Sequence, residues 1–485
     1  MNQLSKIEEQ GKLAMATLMT PTQPNHPAKR RPIIMLLLAI LILLVSIILR
    51  ISGVFGKPVP ANPAEANPAI ANAAVNSVAN PAANPASQLA GRRSLITSAG
   101  QDGIPQLQEK LRQNPNDPSL YAQLGLTMLQ KVRETADPTL YPQAQSAFDN
   151  ALKRDSQQLD AIVGQGILAL ARHDFQDALV WAQKAQTLNP FRAQILGITV
   201  DGQVELGRYD EAVSTLQKMV DMRPDLSSYS RVSYLRELYG DVDGAIQAMQ
   251  TAISTALPGT EQWLWTQVQL GNLYFNRGDV ANAEMVYRQA LQMNPNYAYA
   301  QAGLARVQAA RGDLKTAIAT YNSVVKRLPL ADMVILLGEW YQATGNQTAA
   351  KQQYDLVNVI QQLNASAGMN VDLELALFNA NHGDKALAEK QARTVYGYRQ
   401  TTLAADTVAW ALYQNGKYAE AKTYSDKALK LGARDAMLHF HAGMIAAALK
   451  DSAKAREQLN LALTINPNFS VLYAPMAQAT LKELR

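Results

Sequence analysis

QLGNLYFNRGDVANAEMVYRQALQMNP, the stretch from Gln269 to Pro295, decides the fold. A Leu-Gly pair (Leu270, Gly271) and Tyr274 precede Gly278; Ala283, Tyr287 and Ala290 follow it, and Pro295 closes the run. Two helix-length segments flank a glycine turn, and a proline stops the second. Small residues stand on both segments where antiparallel helices would have to approach closely, with Tyr287 between them to fill the gap.

The stretch is one copy of a repeated unit. Its marker alanine recurs as Ala144, Ala178, Ala212, Ala245, Ala283, Ala317, Ala350, Ala388, Ala421 and Ala455, at intervals of 33, 34 or 38 residues. Twelve residues before the marker stands a small residue (Gly166, Ser233, Gly271, Ala305, Gly338, Ala376, Ala409, Gly443), with Val200 the exception. In the first unit the counterpart is Gly125, displaced by an insertion around Val132 to Pro138. A glycine turn (Gly207, Gly240, Gly278, Gly312, Gly345, Gly383, Gly416) precedes most markers, and Pro190, Pro224, Pro295, Pro329 and Pro467 end their units. No single unit can bury its apolar face, so stacking of neighbours has to supply the core. Length alone suggests about three domains; the repeat replaces that expectation with one elongated array.

The pattern resembles the tetratricopeptide repeat family, whose signature of W-x2-L-G-x2-Y, A-x3-F and P it follows from about residue 117 to 467. The third, fourth and eighth units depart from it at first-helix positions. The resemblance implies an all-α, right-handed superhelical solenoid of about ten helix-turn-helix repeats. Pro105 to Pro115 reads as a half-unit cap and Asn468 to Arg485 as a closing helix. It also implies a concave groove lined by the first helix of each unit, six and three residues before, and one, four and five after, the small residue.

The groove residues so implied are Tyr234, Trp265, Asn272, Phe275, Asn276, Tyr299, Arg306, Glu339, Trp410, Tyr413 and Phe440, with Asp160, Asp201, Glu205, Glu237, Asp332 and Asp406 making the wall acidic. Aromatic anchors beside polar groups suit an extended peptide or a partner helix. The competing reading is that these aromatics pack against the next repeat. The basic clamp of chaperone-binding members is reduced to Asn272 and Arg306, and the asparagine ladder of members that guide a sugar transferase has no counterpart.

Outward from the repeats, the charge is uneven. Residues 1–57 hold seven basic and two acidic side chains, an excess that equals the whole formal charge of +5, whereas residues 105–485 are balanced. The basic character thus flanks an apolar run and is not a nucleic-acid footprint. From Ile33 to Leu49 Ser46 is the only polar residue; extended to Phe55 the run spans roughly 26 to 35 Å as a helix, enough to cross a bilayer core. A cleaved signal peptide is the rival, disfavoured by the long leader and by the lack of a clear A-x-A site. Lys29, Arg30 and Arg31 against Arg50 and Lys57 point the amino terminus into the cytoplasm and the repeats to the other side. Residues 58–90 hold six Pro, six Asn and twelve Ala and read as a semi-extended, disordered spacer. The expected organisation is a basic tail (1–32), a transmembrane signal anchor (33–55), a linker (56–104) and the solenoid (105–485).

The chain has no cysteine, hence no disulfide, thiolate metal site or cysteine nucleophile. The histidines are His26, His173, His382, His439 and His441; no HExxH occurs, and His173 and His382 fall at turns, where solvated rings are expected. DVDGA (Asp241 to Ala245) lacks the later ligands of a calcium loop and reads as a helix cap. No phosphate-binding glycine motif is present, and no cofactor or metal is implied. The expectation is a non-enzymatic protein-binding scaffold or co-chaperone for an extracytoplasmic assembly. The alternatives are a glycan-acting enzyme using carboxylates such as Asp201 and Glu205, and a self-associating structural solenoid.

Overall fold

The computed structural model describes residues 103–370 and 373–484. The expected tail, Ile33–Phe55 anchor and most of the linker lie outside them. Among the described residues every regular element is a helix, and no helix is long and apolar enough to cross a membrane. A half-repeat, α1 (Ile104–Gln113), precedes five pairs: α2 (Pro118–Thr135) with α3 (Leu140–Arg154), α4 (Leu159–Ala171) with α5 (Phe175–Leu188), α6 (Ala193–Glu205) with α7 (Tyr209–Met222), α8 (Leu226–Leu238) with α9 (Val242–Ser254), and α10 (Glu261–Asn276) with α11 (Val280–Met293). Five more follow: α12 (Ala298–Ala310) with α13 (Leu314–Val325), α14 (Ala331–Ala343) with α15 (Gln347–Ser366), α16 (Leu373–His382) with α17 (Lys385–Tyr398), α18 (Thr402–Gln414) with α19 (Tyr418–Ala428), and α20 (Ala436–Ala448) with α21 (Ser452–Ile465). A second half-repeat, α22 (Tyr473–Glu483), closes the array.

Local chemistry sets these boundaries. In four repeats a Gly-Asp or Gly-Asn step (Gly240, Gly278, Gly312, Gly345) joins the helices: the glycine supplies the left-handed turn, and the next side chain caps the second helix. Gly278 has φ +82°, and Asp279 accepts from the Asn282 amide at 3.1 Å. His173 (φ +60°) and Lys450 (φ +63°) take the same conformation where the sequence has no glycine. Asp241 accepts from the Gly244 amide at 2.9 Å, so DVDGA is the cap its sequence suggested. An Asp279→Ala change should cost about 0.5–2 kcal/mol in urea-induced unfolding of the repeats, and an unchanged midpoint would contradict the capping role.

Inside a repeat the small residues serve the predicted purpose. Gly271 on α10 and Gly303 on α12 lie against opposite sides of the buried Tyr287 ring, and a Cβ at either would overlap it. The first helices are buried nearly all round, as in α4, where every residue from Ala161 to Ala171 is buried. The second helices bury one stripe and present the rest to solvent, as α5 does with Phe175, Ala178, Ala182 and Ala185.

The array also winds back on itself. The turns inside the early repeats meet the loops that lead into repeats nearly six units later, at sequence separations of 191 to 197 residues. In repeat two, the Arg172 and His173 carbonyls accept from the Asn370 amide (3.0 Å) and side chain (3.2 Å). In repeat three, the Tyr209 hydroxyl accepts from the Thr402 amide at 3.0 Å, and Glu205 pairs with Arg399, both buried. In repeat four, Gly240 lies against the Gly432 carbonyl, and Tyr239 and Leu431 pack against the same apolar cluster. In repeat five, the Phe275 carbonyl accepts from the Asn466 side chain at 3.3 Å. The upper edge of the first superhelical turn, made of turns within repeats, thus carries the lower edge of the second, made of loops between repeats. His173 is only 6% exposed because this contact covers it, which corrects the expectation of a solvated ring.

Candidate functional site

The winding decides what becomes of the predicted groove. Trp265, Asn272, Phe275, Asn276, Arg306, Glu339, Trp410 and Phe440 are buried, and Tyr234, Tyr299 and Tyr413 half-buried. The sequence reading placed them on an open concave wall; the structure puts most of them into the packing. The physical reason is the small superhelical radius, combined with the loop before α22, which brings Phe469, Ser470 and Val471 into the inner space.

The middle residues form a buried polar knot. The Asn272 Oδ1 accepts from the Tyr287 hydroxyl (2.6 Å) and from Arg306 Nη1 (3.2 Å), and Arg306 Nη2 donates to Asn276 Oδ1 at 3.4 Å. The Arg306 guanidinium lies 4.2 Å from the centre of the Phe275 ring. Trp265 packs instead with Ala302, Ala305 and Trp340, and the Tyr299 hydroxyl crosses to the Arg133 carbonyl at 3.1 Å. Burial lowers Arg133 to about 10, against the pull of Glu261, and raises Glu261 itself. Tyr234 is separate from both groups: it lines a small cavity with Asp201, Glu205 and Arg231.

The later aromatics form a second knot. Trp410 is stacked between Tyr413 (4.6 Å) and His441 (4.0 Å), with Phe440 tilted at 5.7 Å. Its Nε1 donates to Asn381 Oδ1 at 2.7 Å, and His441 Nδ1 lies 2.9 Å from Asp406 Oδ2. His382 is again not a solvated turn residue: its ring stacks on Tyr354 at 4.4 Å and its Nε2 lies 3.4 Å from Glu339.

Between the two knots a small cavity remains, partly open to solvent. Arg306 of α12, Asp332 and Glu339 of α14, Glu374 and Asn381 of α16 and His441 of α20 supply its polar wall. Tyr321, Phe378, Met437, Phe469 and Tyr473 supply apolar surface. Of the predicted groove residues, Arg306, Asp332 and Glu339 line it. Asn381 stands five residues after Ala376, at a groove position that was not singled out; Glu374 and the Phe469–Tyr473 segment fell outside the sequence reading, because Glu374 is off the groove register and a closing helix was not expected to reach the inner space. Burial drives the Tyr473 phenol far above its ordinary range, so it is a neutral donor and acceptor.

The Asp201 and Glu205 carboxylates, a candidate catalytic pair, are each engaged elsewhere. Asp201 takes two bonds from Arg231 (2.8 and 2.6 Å), and Glu205 is held by Arg399 across the turns. Among the described residues no group of three or more metal-ligating side chains is assembled.

Ten stacked antiparallel helix pairs of about 34 residues define a helical repeat solenoid. The tetratricopeptide repeat model matches residues 139–193, 268–332 and 409–468, so the pairs within these stretches are tetratricopeptide repeats. It is similar to cellulose synthase 1 operon protein C of Komagataeibacter xylinus, at 23% identity over 314 residues, 64% of this chain and 21% of that protein. It is also similar to human tetratricopeptide repeat protein 13, at 24% over 209 residues, 42% of this chain and 20% of that one. The chain thus spans about a fifth of the length of each. Among solved structures it resembles the APC/C hetero-tetramer Cut9-Hcn1 (16% identity, 76% of each chain, TM-score 0.37) and a human IFIT1 dimer with m7Gppp-AAAA (15%, 68% and 76%, TM-score 0.43). In general terms, such repeats make the chain a protein-interaction scaffold.

Proposed function

We propose that the chain is a membrane-anchored scaffold that holds a basic, partly apolar segment of a partner protein in its inner cavity, on the extracytoplasmic side. The observation that carries the reading is the cavity wall. Asp332, Glu339 and Glu374, all buried, line a space together with Arg306, beside Tyr321, Phe378 and Phe469, so acidic side chains outnumber the arginine there. A lysine or arginine side chain entering there gains charge complementarity and an aromatic surface in a low-dielectric setting. The anchor rests on the apolar run Ile33–Phe55 and its basic flank. An envelope setting accords with the name of the relative from a cellulose synthase operon.

Panning of a twelve-residue peptide library against the full chain should enrich sequences with Lys or Arg flanked by apolar residues. A Glu339→Gln, Glu374→Gln double variant should weaken the enriched peptides by about ten-fold or more, the scale of losing charge-assisted contacts in a sheltered site. Enrichment of acidic peptides, or none at all, would remove this reading. For the topology, a reporter enzyme active only outside the cytoplasm, fused after Arg485, should be active; a silent fusion would place the repeats on the other side.

A further inference from the structure

Among the described residues, each of the two surfaces that meet between superhelical turns has a second, uncovered edition. On the covered side, the loops leading into repeats seven to ten and into α22 bury Leu328, Ala367, Arg399, Ala433 and Phe469. The matching loops one turn earlier, leading into repeats three to six, have no turn beneath them among the described residues. They and the adjoining helix ends expose Leu188, Phe191, Met222, Leu257 and Met293, with Phe191 84% and Leu257 69% exposed. These residues supply at least one apolar side chain in each of the four loop regions, whereas a solvated loop edge is ordinarily polar.

The opposite edge has the complementary vacancy. In the first turn Gly207 and Gly240, at positive φ, are pressed by the Gln400 and Gly432 carbonyls. In the second turn Gly312, Gly345 and Gly416 keep the same conformation (φ +89°, +78° and +75°), and a Cβ on any of them would meet nothing within 4 Å. The free upper edge therefore repeats, at the same unit spacing, the surface that already receives a lower edge within the molecule.

We propose that a second copy of this chain sets its apolar lower edge, centred on Phe191 and Leu257, on the upper edge formed by the turns of repeats seven to nine. The contact is head-to-tail and continues the winding already present between the turns. Because the two surfaces differ, the association does not close on itself and adds further copies in one direction. The surface is distinct from the inner cavity, so this association and the peptide-binding reading stand or fall separately.

The absence of cysteine makes the register directly measurable in the full chain. Phe191→Cys chains are mixed, under mild oxidation, with chains carrying Thr344→Cys, Lys385→Cys or Lys417→Cys on the upper edge. At least one mixture should give a mixed disulfide dimer at ten-fold or more the yield of Phe191→Cys chains alone, and added Leu257→Glu in the Phe191→Cys chain should abolish it. All of these positions are exposed, so the variants retain the fold, which circular dichroism checks. Efficient pairing of Phe191→Cys chains with one another would replace the proposal with a two-fold contact. No cross-link above background in any mixture would overturn it. Flotation of the full chain with anionic vesicles that weakens on Phe191→Ser, in place of cross-linking, would assign the edge to a lipid surface.

Discussion

Replacing Arg399 by alanine should cost about 3–5 kcal/mol in the main unfolding transition and should loosen one superhelical turn from the other. Arg399 and Glu205 are each about 1% exposed and pair across 194 residues, with the guanidinium also 5.0 Å from the centre of the Phe175 ring. Removing the arginine strips the Glu205 carboxylate of its countercharge in a place water scarcely reaches, and leaves a hole beside Phe175. A buried pair owes little of its net stability to attraction, because desolvation opposes it. The Glu205→Leu, Arg399→Met double variant should therefore recover most of the loss. Arg231→Ala provides the comparison, since it breaks an equally buried pair, with Asp201, inside the first turn. Both single variants should lower the urea midpoint, whereas small-angle scattering should show a longer maximum dimension for Arg399→Ala alone. A loss below about 1 kcal/mol, or equal dimensions for the two variants, would contradict the role assigned to the pair.

The same pair shows which parts of the molecule the residues announce. Every mark used to find the repeat reports a contact made within one unit or with its neighbour: Gly271 against Tyr287, Asp279 on the start of α11, Pro295 after its end. Those contacts need particular residue types, so they leave a periodic trace. Most contacts between turns have a main-chain group on one side, the Arg172, His173 and Phe275 carbonyls and the Asn370 and Thr402 amides, which any residue supplies. No residue pattern marks them, and a separation of more than 190 residues hides the partners of Glu205 and of Gly240 alike. The inner wall was consequently read as open. Trp265, Phe275, Trp410 and Phe440 stand on first helices, but the pitch that buries them lies beyond what local spacing encodes.

Gly240→Ala is the sharper test of that pitch, because it changes one methyl group. Gly240 sits at φ +80°, where a side chain costs about 1–2 kcal/mol for conformation alone. Its new Cβ would also run into the Gly432 carbonyl oxygen, main-chain to main-chain, where no flexible side chain can yield. Forcing an extra carbon into a filled space costs typically about 1–3 kcal/mol more. Gly416 has nearly the same backbone (φ +75°) and open space around it, so Gly416→Ala carries the conformational cost without the collision. The difference between the two variants, expected at about 1–3 kcal/mol by urea unfolding, isolates the contact between turns. Scattering should show the second turn lifted from the first in Gly240→Ala and not in Gly416→Ala. If the two variants lose the same stability and keep the same dimensions, the turns do not press on one another in solution. The inner cavity would then be a wider groove, with Trp265 and Phe275 restored to its wall.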